Sequence, residues 1–267
     1  MRKLITLLVA LSVALAAAGS ASAQEATGSV TVLHGVPGVT VDVYVNGAVA
    51  LESFEFGTVT DPIELPEGDY DIDIRAAGEP DSDPIISGST PLPGGANASI
   101  IAHLAEDGTP TLSVFVNDTS EVAAGDARLS VRHTAAAPAV DILANDAVLI
   151  PALANPDGTS IDIPADTYSV AVAAAGTTDP VLGPLDLSPA AGASTIVYAV
   201  GSLADDSLDV LVQSIDGLGG APAGVPSGTS GLAADSGFPL WAIAILAFAA
   251  LGAIASGGAL ARSRSRA

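Results

Sequence analysis

The sequence predicts an all-β protein: two tandem β-sandwich domains of immunoglobulin-like architecture, followed by a single membrane-crossing helix. Three observations carry that expectation. Between residues 28 and 215 the chain is a succession of short runs rich in Val, Ile and Thr, apolar at alternate positions and separated by Gly, Pro, Asn and Asp. The same stretch matches itself at a separation just under one hundred residues. Within it, no useful length carries apolar residues at the period of an amphipathic helix.

In chain order, Met1-Arg2-Lys3, the apolar run 4–18 and the Ala21-x-Ala23 pattern read as a secretory signal peptide over residues 1–23. The first repeat, 28–118, opens with strands expected at 29–34 and 40–45. Asn46-Gly47 follows as a hairpin pair, because both central residues of that tight turn need positive φ. Further strands are expected at 48–56, 61–65, 68–76, 85–92, 98–105 and 111–117, punctuated by Glu67-Gly68, the cluster 91–95 and Asp107-Gly108. A polar linker, 119–126, leads into the second repeat, 127–215. The segment 216–236 is rich in Gly, Pro and Ser, cannot bury a core, and reads as a flexible stalk. Residues 237–261 carry no charge, with Phe238 and Trp241 near their start and Arg262, Arg264 and Arg266 beyond their end. At about 1.5 Å per residue that is long enough to span a bilayer, placing the repeats outside and the basic tail, 262–267, in the cytoplasm. The order of parts resembles cell-wall sorting architecture, so wall attachment is an alternative to a plain anchor. However, Ala233-Ala-Asp-Ser-Gly237 lacks the leucine and proline of the sorting pentapeptide.

The repeat is carried by particular residues. Val30-Thr-Val-Leu-His34 matches Leu129-Ser-Val-Arg-His133, and Val41-Asp42-Val-Tyr-Val-Asn46 matches Val140-Asp141-Ile-Leu-Ala-Asn145, both at an offset of 99. Leu65-Pro66-Glu-Gly-Asp-Tyr70 matches Ile163-Pro164-Ala-Asp-Thr-Tyr168 at 98. Ser99-Ile-Ile101 matches Thr195-Ile-Val197 at 96, an alignment that sets Ala199 opposite His103.

Composition excludes several functions. The chain has no cysteine, so disulfides, thiolate metal sites and cysteine nucleophiles are ruled out. Its net charge is −22, and all 30 acidic residues lie between Glu25 and Asp235, where the only basic residues are Arg75, Arg128 and Arg132. Such a single-sign surface repels nucleic acid and anionic lipid and favours solubility. No Walker loop, Gly-x-Gly-x-x-Gly, HExxH or Gly-x-Ser-x-Gly occurs.

The candidate metal site is Asp69, Asp71 and Asp73, which alternate with Tyr70, Ile72 and Ile74, so that on a strand the carboxylates share one face. Glu79, Asp81 and Asp83 follow in a Pro-containing loop that would complete an oxygen-rich site only by folding back. The spacing lacks the glycine and distal glutamate of an EF-hand. His34 and His133 read as strand-end histidines bonded to backbone carbonyls, and Tyr70 and Tyr168 as tyrosines pinning a corner. Asp42 and Asp141, inside apolar strands, read as turn or strand-end acceptors.

The run His34-Gly-Val-Pro-Gly-Val-Thr-Val-Asp42-Val-Tyr-Val-Asn46-Gly, with Leu65-Pro-Glu-Gly-Asp-Tyr70-Asp-Ile-Asp-Ile-Arg75-Ala-Ala-Gly78, resembles the DUF4397 family of bacterial and archaeal surface proteins. The second repeat is similar through Arg132-His133-Thr-Ala-Ala-Ala-Pro138-Ala-Val140-Asp141 and Ile163-Pro-Ala-Asp-Thr-Tyr168. The resemblance covers nearly all of 28–215 and implies an extracytoplasmic β-sandwich module without implying a mechanism. The expected function is a non-enzymatic, single-pass cell-surface protein, without a catalytic residue or cofactor. It would present two sandwiches for envelope structure, adhesion or recognition of an extracellular protein or glycan. The alternative is a calcium- or cation-dependent module using 69–83, and a surface hydrolase is the least expected reading.

Overall fold

Sixteen β-strands and no helix make up residues 26–219, the part of the chain that the computed structural model describes. The expected signal peptide, residues 220–236 of the expected stalk, the apolar segment 237–261 and the basic residues 262–267 lie outside the described residues. Among those described, no helix is long and apolar enough to cross a membrane.

The first half contains β1 (Thr27–His34), β2 (Val41–Val45), β3 (Ala48–Phe54), β4 (Ile63–Pro66), β5 (Gly68–Ala76), β6 (Ile86–Leu92), β7 (Asn97–Leu104) and β8 (Pro110–Val116). Each expected strand is present, displaced at its ends by a few residues. The expected hairpin pair, Asn46 and Gly47, has φ of 51° and 79°. The second half repeats the series as β9 (Asp126–His133), β10 (Val140–Ala144), β11 (Ala147–Leu153), β12 (Gly158–Pro164), β13 (Tyr168–Ala174), β14 (Pro180–Leu187), β15 (Ser194–Val200) and β16 (Asp209–Ile215).

Each half forms two four-stranded sheets. Their orders are β4-β1-β7-β8 and β3-β2-β5-β6 in the first, β12-β9-β15-β16 and β11-β10-β13-β14 in the second. Strand for strand the two halves have the same topology. The order departs from the expected immunoglobulin arrangement of seven strands with the first, second, fifth and fourth in one sheet. Here the first strand leaves the second and lies between the fourth and seventh, pairing parallel with the seventh in both halves. The register also corrects the repeat alignment. Ser29 stands opposite Asn97 and Arg128 opposite Ser194, so the offset at the seventh strand is 97 and the counterpart of His103 is Val200.

Alternation along the strands builds a core in each half. Val30, Val43, Ile72, Ile74, Ile100 and Leu104 fill the first, and Leu129, Ile142, Val170 and Val197 the second. A third cluster joins the halves: Leu33 and Ile101 pack with Ile196, Tyr198, Val200 and Leu211. The sheets containing β7 and β15 are therefore covered on both faces, and all seven residues of β15 are buried. The result is four stacked sheets with three apolar layers.

The expected polar linker belongs to this body. Val122 is buried and donates its N–H to the Leu218 carbonyl, while Arg128 donates to the carbonyls of Asp118 and Ser120. Residues 216–219, the start of the expected stalk, belong to the folded body, because Leu218 is buried and Gly219 bridges to Val122.

Gly158 has no room for a side chain beside the neighbouring strand. A Cβ on Gly158 would lie 2.9 Å from Cγ of Arg132 and 3.7 Å from Cε1 of Phe115. Gly158→Ala should cost about 1–3 kcal/mol, the usual range for overpacking, in a denaturant titration with unchanged slope. Because the halves share a buried layer, residues 26–219 should unfold in one calorimetric transition. Two resolved transitions would show that the shared layer contributes little.

Candidate functional site

The three aspartates of β5 lie where alternation places them, on the outer face, opposite the buried Ile72 and Ile74. The structure does not gather them into a cage. Asp73 accepts a hydrogen bond from Ser87 Oγ at 2.6 Å and lies 3.5 Å from the Arg75 guanidinium. Arg75 also donates to the carbonyls of Pro80 and Ser82, tying the acidic loop to the strand through its backbone. Among the described residues no group of three His, Asp or Glu side chains could hold a metal ion.

The polar residues shared by the repeats bind backbone. Asp42 reaches across its sheet: Oδ1 accepts from Ser53 N–H at 2.8 Å and Oδ2 from Gly78 N–H at 2.9 Å. Asp141 repeats the arrangement with Ala152 at 2.7 Å and Gly176 at 2.8 Å. Ser53 and Ala152 have φ of 52° and 51°, where the register between the second and third strands shifts. The carboxylate thus stabilises a bulge whose backbone conformation is unfavourable for a side-chain-bearing residue. The two bonds hold the Asp42 carboxyl below its ordinary pKa, with Ser53 the larger influence. Tyr70 and Tyr168 donate to the carbonyls of Pro66 and Pro164 at 2.7 and 2.9 Å, pinning equivalent corners.

His34 and His133 also match. Their Nε2 atoms lie 3.0 Å from the carbonyls of Val39 and Pro138. His34 Nδ1 accepts a long bond, 3.4 Å, from Val36 N–H, whereas His133 Nδ1 is buried without a partner. His103, matched by Val200 in the second half, places Nδ1 3.0 Å from the Leu104 carbonyl and Nε2 2.8 Å from Ser113 Oγ. This is the geometry of a base beside a hydroxyl, at an open groove that includes Glu106, Asp107, Thr111 and Asn155. An acyl-transfer site also needs donors for the developing oxyanion. The side-chain amide lining the groove, that of Asn155, gives its protons to the carbonyls of Leu104 and Ala135 and so fastens the two halves together.

The polar centre between the halves was not legible as a site. Arg132 is buried there and stacks on Phe115 at 4.3 Å and Tyr198 at 5.1 Å. It donates to Tyr198 Oη and to Asn117 Oδ1 at 2.6 Å. Tyr198 donates to Gln213 Oε1 at 2.8 Å, and Ser99 reaches the same oxygen at 2.8 Å from the first half. Burial lowers the Arg132 pKa and raises that of Tyr198, each opposed by the other group. The sequence signal was the run Thr195-Ile-Val-Tyr-Ala-Val200, too continuously apolar for a strand with a wet face.

The halves differ in the space between their sheets. Between the sheets of the first lies an apolar cavity of about 200 Å³, lined from both sides by residues such as Val30, Val43, Ile72, Ile100 and Leu112. The corresponding space in the second half measures about 30 Å³.

A family model described as a domain of unknown function, DUF4397, matches residues 28–143, taking in the first half and the first two strands of the second. No curated protein matches the chain.

Burial is the main reason that the pKa values of His34, His103 and His133 lie below the ordinary histidine value. Below about pH 6.5 the unfolded chain takes up protons that the folded chain refuses, so this contribution to stability is present above that pH and is lost as pH falls. Urea titrations at constant salt should show stability falling between pH 7.5 and 5.5, by up to about 1.4 kcal/mol per pH unit for each histidine. His103→Gln should make the profile shallower. A flat wild-type profile would mean that folded and unfolded chains bind the same number of protons over this range, so that burial does not lower these pKa values.

Proposed function

We propose that this chain is a non-enzymatic, secreted and membrane-anchored surface protein. In this reading residues 127–215 are a second copy of the domain matched in the first half. The two copies form one rigid acidic body for envelope structure, adhesion or recognition of an extracellular protein or glycan. One observation supports the reading above others: the polar residues that the halves share spend their hydrogen bonds on the fold. Asp42, Asp141, Tyr70, Tyr168, His34 and His133 all bond backbone atoms. The remaining surface carries a dense array of carboxylates, suited to display in water and unsuited to nucleic acid. The signal-like residues 1–23 and the apolar segment 237–261 supply the route outward and the anchor, with wall attachment the alternative ending.

Treating intact cells with a protease tests both display and rigidity. The expected product is one resistant fragment spanning about residues 26–219, because the segment between the halves is held by Val122 and Arg128. An untouched protein in intact cells that becomes sensitive after lysis would overturn surface display. Early cleavage between residues 117 and 125 would overturn the single rigid body.

A further inference from the structure

We propose that the cavity of the first half is a binding site for a small, uncharged, apolar molecule, cyclic or branched, of about six to eight non-hydrogen atoms. The inference goes beyond the reading above and is independent of where the protein is displayed.

Size supplies the first argument. An engineered protein cavity of about 150 Å³ lined by Leu, Ile and Phe stays dry and takes up benzene, and this one measures about 200 Å³. The second argument is the internal comparison. Both halves have the same strand order, so the space is not a by-product of topology. At the positions of Val30 and Val43 the second half has Leu129 and Ile142, each one carbon larger and buried in its core. Opposite Ile72, Ile74 and Ile100 it has Val170, Val172 and Val197, each one carbon smaller, so the summed size of the lining does not account for the smaller space there.

Lining chemistry selects the class of ligand. The walls are aliphatic except for the rings of Phe54, Tyr70 and His34, and no Asp, Glu or Arg contributes to them. The polar side chains present are His34, Tyr70 and Thr90. Each is engaged with a backbone carbonyl, that of Val39, Pro66 and Pro91 respectively. A charged ligand would lose its hydration without gaining a counter-charge. Access is built into the edges of the sandwich. The lining continues to the exposed residues Ala50 and Ile63 on β3 and β4, and to Pro91 and Val114 on β6 and β8.

The test uses the full chain in lipid nanodiscs, with ¹³C-labelled Ile, Leu and Val methyl groups, titrated with benzene, cyclohexane and, as the charged comparison, octanoate. Benzene or cyclohexane should produce saturable shifts at Ile72, Ile74 and Ile100 and none at Ile142 or Ile163, while octanoate produces none at any of them. The double variant Val30→Leu/Val43→Ile, which introduces the residues of the second half, should weaken binding at least tenfold and raise Tm. The proposal is overturned by the absence of saturable shifts, by equal shifts in both halves, or by an unchanged affinity in a folded double variant. Should that variant not fold, the comparison between halves in the wild-type protein decides.

Discussion

The stacked arrangement depends on a buried cation that has no carboxylate beside it. Arg132 lies between the halves, and its partners are a phenol, an amide oxygen and two aromatic faces. Removing a guanidinium from water is costly, and neutral acceptors offset that cost only when several converge in fixed geometry. Here they come from different strands of both halves: Phe115 and Asn117 from the first and the segment that follows it, Tyr198 from the second. Neither half could satisfy Arg132 alone. Arg128, four residues earlier on the same strand, shows the contrasting solution, with its Nε 2.8 Å from Asp162 and its Nη1 3.1 Å from Asp118 at the rim.

Local features of the fold were legible because their physical causes are local. Asn46-Gly47 implied a tight hairpin, alternation gave the two faces of β5, and the matched tyrosines implied pinned corners. Long-range features were not. Nothing in the Val-rich pattern of β1 states that its neighbours are β4 and β7, since a parallel pairing across the domain leaves no turn to read. The union of the halves was hidden in a similar way. Residues 117–125 are polar in composition, but Val122 anchors them, and one buried valine does not alter a compositional reading. The seventh strands did carry a signal in their unbroken apolar runs. Its meaning required a partner sheet that only the folded chain supplies.

The aspartates inside β2 and β10 take the acceptor role expected of them, and they take it toward backbone. A carboxylate among valines suggests chemistry, yet Asp42 and Asp141 each hold two backbone N–H groups on either side of their strand. The row on β5 has the reverse character, conspicuous in sequence and spread along the solvent-facing side of an interior strand. The histidines follow the same division between pattern and role. Two are repeated and hold the loop after the first strand of each half, while His103 joins Ser113 at the boundary of the halves.

The clasp at the end of the folded body has a mechanical consequence. Val122 bonds the Leu218 carbonyl, and the N–H groups of Leu218 and Gly219 both reach the Gly192 carbonyl. Tension carried by the chain beyond Gly219 therefore enters beside the connector between the halves, through three hydrogen bonds and the burial of Leu218. With the amino-terminal end unloaded, the force path ends in the second sandwich and the connector. The first sandwich is mechanically sheltered, and the spacing of its sheets can remain unchanged while force is applied through the chain at Gly219.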